Sequence, residues 1–134
     1  MVQELGLKEE KKFDLKAYWD AVVKQKEHEI KTYFHEEAVV CWHNTNEKFN
    51  VEEFIRANCE YPGTWNCKFD RIEKLDSLYI TVVHVFAVGG APSFHAISFI
   101  RVLDEKIESI DEYWSEDGEI PGWRIEKKIG SKIK

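Results

Sequence analysis

The chain has 134 residues, with 19 Lys and Arg against 25 Asp and Glu, and a net charge of −6. A chain of this length holds one hydrophobic core, so we expect a single domain over residues 1–134. With 43% apolar residues, 3 Pro and 7 Gly, the composition excludes disordered and low-complexity proteins.

The first third of the chain favours helix and then strand. Residues 1–12 lack a sustained apolar stripe, and we expect both ends of the chain to fray, which leaves a core of about residues 13–124. Asp14 can cap a helix whose apolar side chains recur on one face, namely Leu15, Tyr18, Trp19, Val22 and Val23. This periodicity weakens and resumes at Ile30, which indicates a bend or a second short helix. Residues 38–45 are β-branched and aromatic, which predicts a strand.

The remainder predicts one helix and four strands. Asn50 and Glu53 form a capping-box pattern, so a helix should run from about Val51 to Cys59 and end at the turn Tyr61-Pro62-Gly63. Residues 64–114 predict strands joined by tight turns at 76–77, 89–90 and 104–105. Helices gathered at the start, followed by an antiparallel meander, indicate an α+β fold.

Turn length fixes the register of these strands, because the residue numbers of two directly opposed residues in a hairpin always add up to the same value. The arithmetic places His84 opposite His95, and His95 opposite Trp114. One face then holds Trp65, Cys67, Phe69, Val82, His84, Phe86, His95, Ile97, Phe99, Ile110, Glu112 and Trp114. We expect this face to meet the helices. The opposite face holds Tyr79, Val83, Val85, Phe94, Ala96, Ile100 and Tyr113, and this apolar set predicts a homodimer through the outer face of the sheet.

Charge, hydropathy and cysteine usage limit the partners. The acidic balance argues against nucleic acid, which requires a positive surface. No apolar run is long enough for a membrane span and no signal-peptide core is present, so we expect a cytoplasmic protein. The three cysteines lack a CxxC pair, which favours reduced, partly buried thiols over disulfides or structural zinc.

Four segments resemble a small bacterial family of the nuclear transport factor 2-like superfamily, alongside the SnoaL-like proteins. These segments are WHNTNEKF (42–49), ANCEYPGTW (57–65), DEYW (111–114) and PGWR (121–124). Membership implies a cystatin-like cone, in which a curved antiparallel sheet wraps N-terminal helices and leaves a pocket at the open end. The superfamily includes ketosteroid isomerases, dehydratases, polyketide cyclases, hydrolases and non-catalytic association domains, so the fold does not select a function.

Three titratable residues are the candidates for acid–base chemistry. His84 and His95 share the predicted inner face, where an imidazole pKa can move across neutral pH, and Glu112 lies one strand away from His95. We predict that His95 transfers the proton, with Glu112 and His84 assisting, in a lyase or isomerase reaction that needs no cofactor. The alternative is that each histidine is a hydrogen-bonded core residue.

Aromatic and amide residues are the candidates for ligand binding. Converging near helix and strand ends, they are Trp42, Asn44, Asn58, Tyr61, Trp65, Trp114 and Arg124. Plain core packing is the alternative for any single tryptophan. No metal is predicted, because Cys41 and His43, with His84, His95 or His35, match no zinc spacing. The acidic run 115–119 is interpreted as a solvated loop.

Two hypotheses of different classes remain open. The first is a protein with a small-molecule pocket that binds or converts a hydrophobic or aromatic compound. The second is a dimeric association or ligand-binding module without catalysis. An open cavity favours the first hypothesis, and an interior packed without voids favours the second.

Overall fold

The computed structural model describes residues 11–134. The sequence predicts fraying of residues 1–12, and residues 1–10 of that segment lie outside the described range. Four helices are described, named α1 (Leu15–Val23), α2 (Glu27–Lys31), α3 (Val51–Cys59) and α4 (Gly122–Glu126). Six strands are described, named β1 (Phe34–Trp42), β2 (Glu47–Asn50), β3 (Trp65–Leu75), β4 (Leu78–Ala87), β5 (Ser93–Leu103) and β6 (Lys106–Glu116). The α+β prediction is confirmed, and no helix within residues 11–134 is long and apolar enough to cross a membrane.

Side-chain caps begin the two longer helices where the sequence predicts them. The Asp14 carboxylate accepts a hydrogen bond from the Ala17 amide at 3.1 Å and starts α1. At α3, the Asn50 side chain accepts from the Glu53 amide at 2.8 Å, and the Glu53 carboxylate accepts from the Asn50 amide at 2.9 Å. This reciprocal pair satisfies two amides that the helix itself leaves unpaired. The capping-box prediction is therefore confirmed.

All six strands form one sheet, in the order β2-β1-β6-β5-β4-β3. Strands β3 to β6 form the predicted antiparallel meander. The strand order differs from the sequence prediction in two respects, because β2 was not expected and β1 pairs with β6 in parallel. The parallel pairing joins the first strand to the last one and places Trp42 directly beside Glu112.

Two β-bulges change the predicted register. Near the turns, Leu75 pairs with Leu78 and Leu103 with Lys106, as turn length predicts. Further along, Asp70 is an extra residue in β3 and Glu108 is an extra residue in β6, and each shifts the pairing by one position. A shift of one residue reverses the face of every later side chain relative to its partner strand.

The predicted inner face is therefore wrong for the two middle strands. Residues Val82, His84, Phe86, His95, Ile97 and Phe99 lie on the outer face, across the sheet from Trp65, Cys67, Phe69, Ile110, Glu112 and Trp114. The inner face instead takes Tyr79, Val83, Val85, Phe94, Ala96 and Ile100, the residues that motivated the predicted dimer surface. Four of these six are buried in the core. His84 does pair with His95, because that hairpin contains no bulge.

Helices α1 and α3 pack on the inner face and complete the core. Trp19 of α1 and Phe54 of α3 are almost fully buried, together with Ile100 and Ile110 of the sheet. Burying a large apolar side chain contributes about 1.5–3 kcal/mol relative to leaving it in water. The core thus lies between the helices and the concave side of the sheet, and the site described next occupies one end of it.

Candidate functional site

A cavity of about 230 Å³ lies between the helices and the concave side of the sheet. Its lining residues are Trp19, Val22, Val23, Gln25, Trp42, Ala57, Asn58, Tyr61, Trp65, Val85, Phe94 and Trp114. Tyr61 is the most exposed of them, with 51% of its surface accessible, so the cavity opens beside the Tyr61-Pro62-Gly63 turn. Four of the chain's five tryptophans line this one cavity.

One hydrogen bond to the backbone and one close contact with a glycine fix the Trp65 ring at the rim of the cavity. The Trp65 indole N–H donates to the Pro62 carbonyl at 3.0 Å. At Gly63, which has a φ of +110°, an added Cβ would lie 2.9 Å from the Trp65 indole nitrogen. Only glycine combines that backbone conformation with that contact. The Tyr-Pro-Gly-Thr-Trp segment therefore positions an aromatic wall of the cavity.

Two amide side chains connect the helices at the cavity. Asn58 donates from Nδ2 to the Val22 carbonyl at 2.8 Å, which joins α3 to α1. Gln25 donates from Nε2 to the Asn58 carbonyl at 3.0 Å and to the Tyr61 carbonyl at 2.7 Å. Because these bonds use the side-chain nitrogens, the side-chain oxygens of Asn58 and Gln25 remain available as hydrogen-bond acceptors. Gln25 was missed by the sequence prediction, because it lies in a charged stretch with no apolar periodicity.

Glu112 lies behind two of the aromatic walls. It is 2% exposed and is the only buried carboxylate within the described residues 11–134. Its Oε1 accepts the indole N–H groups of Trp42 and Trp114, both at 3.0 Å, and its Oε2 accepts the Ser98 hydroxyl at 2.7 Å. Burial raises the pKa of Glu112, although these three hydrogen bonds act in the opposite direction. The carboxylate thus fixes both indole rings against the cavity.

The indole of Trp19, which lines the cavity, and the phenol of Tyr18 are two further polar groups buried in the core. Within the part of the chain that the structure describes, Trp19 Nε1 is buried without a hydrogen-bond partner. Burial raises the pKa of Tyr18, and the charge of Glu112 raises it further. Tyr18 therefore stays neutral at physiological pH and adds no charge to this end of the core.

The two candidate histidines lie on the other side of the sheet from the cavity. The imidazole rings of His84 and His95 stack with their centroids 4.7 Å apart, on the convex face. The prediction that they share a face with Glu112 is wrong, because the bulge at Glu108 moves Glu112 opposite Ser98 instead of Ile97. The cavity ligand and these imidazoles are thus separated by the sheet.

The other predicted ligand-binding residues divide into two groups. Trp42, Asn58, Tyr61, Trp65 and Trp114 all line the cavity, and their role in binding stays a prediction. Asn44 does not line the cavity, because its side chain accepts a hydrogen bond from the Trp114 amide at 2.6 Å. Arg124 does not line it either, because its guanidinium lies over the Trp123 ring on the exposed helix α4, 5.4 Å from the ring centroid.

The cysteines and His43 form no metal cluster with each other. The three cysteines are free and partly buried, and burial raises the pKa of Cys59 and of Cys67. His43 contacts the Asp111 carboxylate at 2.7 Å and stacks on Tyr113. The sequence alternative that joins Cys41 and His43 into a metal site is therefore not supported within residues 11–134.

Solved structures with the same arrangement of helices and sheet are numerous. A candidate ketosteroid isomerase from Kribbella flavida superposes with a TM-score of 0.72 at 20% identity, over 89% of this chain and 86% of that chain. A nuclear transport factor 2-like protein of unknown function from Burkholderia xenovorans superposes with a TM-score of 0.70 at 19% identity, over 90% and 92%. The chain has the nuclear transport factor 2-like fold. The resemblance found in the sequence is confirmed at the level of this fold, and so is the curved sheet of the predicted cone.

A SnoaL-like structure also shares the nuclear transport factor 2-like fold. It is a candidate polyketide cyclase from Shewanella putrefaciens, with a TM-score of 0.58 at 10% identity, over 71% of this chain and 73% of that chain. No protein-family model and no curated protein matches the sequence. Because nuclear transport factor 2-like proteins have diverse activities, the function has to be argued from the cavity itself.

Proposed function

We propose that the protein binds a small, flat aromatic molecule in the cavity of about 230 Å³. The observation that carries this proposal is the convergence of four indole rings on one open cavity whose lining residues, all within the described chain, include no charged side chain. Stacked and edge-to-face aromatic contacts favour a planar apolar ligand.

The cavity volume limits the size of the ligand. Pockets for drug-sized molecules are about 300–1,000 Å³, whereas an engineered apolar cavity of about 150 Å³ binds benzene. A cavity of about 230 Å³ therefore suits one or two fused rings rather than four. The free amide oxygens of Asn58 and Gln25 favour a ligand with one hydroxyl or N–H donor.

Filling the cavity is expected to abolish binding without unfolding the protein. Ala57 lines the cavity from α3, so Ala57→Leu places three additional carbon atoms in it. We expect binding of 2-naphthol or indole, measured by tryptophan fluorescence, to weaken at least tenfold. The measurement is best made in a Trp123→Phe background, because Trp123 is 58% exposed and lies outside the cavity.

The neighbouring residue supplies the control for this experiment. Arg56 is on the same helix with 74% of its side chain exposed, so Arg56→Leu adds a leucine that does not enter the cavity. Equal binding of both probes by the two leucine variants would contradict the proposed site. Absence of saturable binding to the parent protein, by a panel of one- and two-ring compounds, would contradict the proposed function.

A second candidate function is acid–base conversion of the bound molecule, and Glu112 is the observation that favours it. Catalytic carboxyls that move protons near neutral pH have a raised pKa, and burial supplies that condition at Glu112. His95 and His84 are poorly placed for this role, because the sheet separates them from the cavity. We propose that any proton transfer uses Glu112, after a shift of the Trp42 or Trp114 indole that now covers it. Turnover that survives Glu112→Gln would exclude this role.

We also propose that two chains associate through the convex face of the sheet, where Tyr113 is the one residue of the apolar set suggested by the sequence that lies on this face. Ile97 and Tyr113 lie side by side on this face, and are 41% and 43% exposed. Phe99 and Val82 flank Ile97 on the same face and are half-buried. An apolar row across a sheet can pair with a second copy of itself about a two-fold axis.

A charge in this row should dissociate the pair. We expect sedimentation at micromolar concentration to give a dimer for the parent protein and a folded monomer for Ile97→Lys. Val88→Lys is the control, because Val88 is 66% exposed in the loop between β4 and β5, away from the row. A monomeric parent protein would overturn this proposal and leave the cavity proposal untouched.

A further inference from the structure

A compact cluster of histidine and aspartate side chains lies on the convex face of the sheet. His84 of β4 pairs directly with His95 of β5, and the planes of their imidazole rings are 12° apart. Asp117 follows the end of β6 and contacts both rings, with Oδ2 lying 3.2 Å from His84 Nε2 and Oδ1 bonded to His95 Nδ1. One nitrogen from each histidine and one carboxylate oxygen lie within 4.8 Å of one another.

Backbone and side-chain contacts fix this cluster in place. The Asp117 amide donates to the Ser93 carbonyl at 2.9 Å, and the Ser93 hydroxyl donates to Asp117 Oδ2 at 2.6 Å. Burial opposes ionisation of Asp117, but the hydrogen bonds from Ser93 and His95 and the charges of both histidines outweigh it and lower the pKa of this carboxyl. The Asp117 side chain is 29% exposed and the His84 side chain is 33% exposed, so solvent reaches the cluster.

A fourth residue orients the ring of His95. Asp70 is the bulge residue of β3, and its Oδ2 lies 3.1 Å from His95 Nε2. A bulge redirects a side chain relative to its strand. His95 thus has the Asp70 carboxylate at Nε2 and the Asp117 carboxylate at Nδ1. At metal sites, a carboxylate bound to the second ring nitrogen holds a histidine ligand in the correct tautomer.

We propose that His84 Nε2, His95 Nδ1 and the Asp117 carboxylate bind a divalent transition-metal ion of the zinc type, with Asp70 as the positioning residue for His95. Two imidazoles and one carboxylate form a donor set typical of such ions, and a fourth position open to solvent would hold water. Donor atoms around a tetrahedral zinc ion lie about 3.3 Å apart, given bonds of about 2.0–2.2 Å. The 3.2 Å from His84 Nε2 to Asp117 Oδ2 already matches that separation.

This site is independent of what the cavity binds, because the two lie on opposite faces of the sheet. The sequence prediction of no metal was based on linear spacing. The three proposed ligands are 11 and 22 residues apart along the chain, 84 to 95 and 95 to 117, and share no short motif. They meet because β4 and β5 are neighbours and because the acidic loop after β6 returns beside them.

Zinc titration of the protein after chelator treatment and dialysis tests the proposal. We expect saturable binding of one Zn²⁺ per chain in competition with a chromophoric chelator. His84→Gln and His95→Gln should each weaken binding at least 100-fold, and Asp70→Asn should weaken it about 10–100-fold, as expected for a partner outside the metal's own ligands. Cobalt(II) should give visible d–d absorption that Zn²⁺ displaces.

His43→Gln is the matched control. His43 also pairs with one carboxylate, that of Asp111, but no second histidine joins them within the described residues. We expect its zinc affinity to equal that of the parent. Circular dichroism melts of all four variants without metal separate lost binding from lost folding. Unsaturable zinc uptake, or equal affinity in folded His84→Gln, His95→Gln and His43→Gln, would overturn the proposal.

Discussion

Replacing Glu112 with alanine is expected to lower the free energy of unfolding by about 3 kcal/mol, which corresponds to about 10 °C in the melting temperature of a domain of this size. The substitution leaves the indole N–H groups of Trp42 and Trp114 and the Ser98 hydroxyl without their acceptor. A buried donor without a partner costs about 1–3 kcal/mol. Thermal and chemical denaturation followed by circular dichroism measure the loss.

Glu112→Gln is the control, and it makes a second measurement available. The glutamine carbonyl can accept both indole N–H groups, and its NH₂ can donate to the Ser98 hydroxyl oxygen, so all three contacts keep a hydrogen bond, with the direction of the one to Ser98 reversed. We expect this variant to melt within a few degrees of the parent. An alanine variant as stable as the glutamine variant would contradict the assigned role of the carboxylate.

Comparing the parent protein with Glu112→Gln at different pH values also measures the titration of Glu112. Burial raises its pKa above the ordinary value of about 4.3. A carboxyl that holds its proton more tightly when folded stabilises the protein fully below the ordinary pKa, and that contribution is lost as the pH rises through the folded-state pKa. The melting temperature of the parent, relative to Glu112→Gln, should therefore fall over the pH interval above about 4.3. A difference that rises over this interval would contradict the raised pKa.

Deleting Glu108 is expected to have the largest effect of any single-residue change. Glu108 is the extra residue that places Ile110, Glu112 and Trp114 on the inner face of β6. Without it, the pleat would direct these residues to solvent and bring Asp111 and Tyr113 into the core. Ile110 is 1% exposed, and the loss of its burial together with an introduced charge exceeds the stability of a typical domain.

We therefore expect the deletion variant to lack a cooperative unfolding transition and to be degraded or insoluble. Deleting Glu119 is the control, because Glu119 is exposed and lies between β6 and α4, outside regular structure. That variant should fold. A deletion at Glu108 that melts cooperatively within a few degrees of the parent would show that the strand can slip and restore the pairing, and would contradict a fixed register.

The bulges also explain which parts of the site the sequence could predict. The apolar stripe of α1, the capping box at Asn50 and the tight turns are local signals, and they predict the helices, the meander and the cone. The face of each strand depends on every residue between it and the turn, so one unrecognised bulge in β3 and one in β6 placed β4 and β5 on the wrong side. The pattern of apolar and polar residues along β4 could not correct the assigned face, because Val83 and Val85 on one face alternate with Val82 and Phe86 on the other, and both sets are apolar.

Local signals predicted the cavity residues for a different reason. Trp42, Asn58, Tyr61 and Trp65 lie at or near the ends of their helices and strands, which local signals locate, and all line the cavity. The histidine and aspartate cluster depends on long-range placement. Asp117 belongs to an acidic run that resembles a solvated loop, and Asp70 reaches His95 only because it is the bulge residue. No periodicity in the sequence marks either carboxylate.

The parallel contact between β1 and β6 has a consequence for folding during synthesis. Trp42 and its hydrogen-bond partner Glu112 are 70 residues apart in the chain. Contacts of such large sequence separation carry a high loop-closure cost and form late. While the chain is being made, α1, α3 and β1 emerge long before β6, so one wall of the cavity is missing until the last strand leaves the ribosome. The nascent chain must carry exposed tryptophans for most of its synthesis, which makes this stage the one most open to chaperone binding and to aggregation.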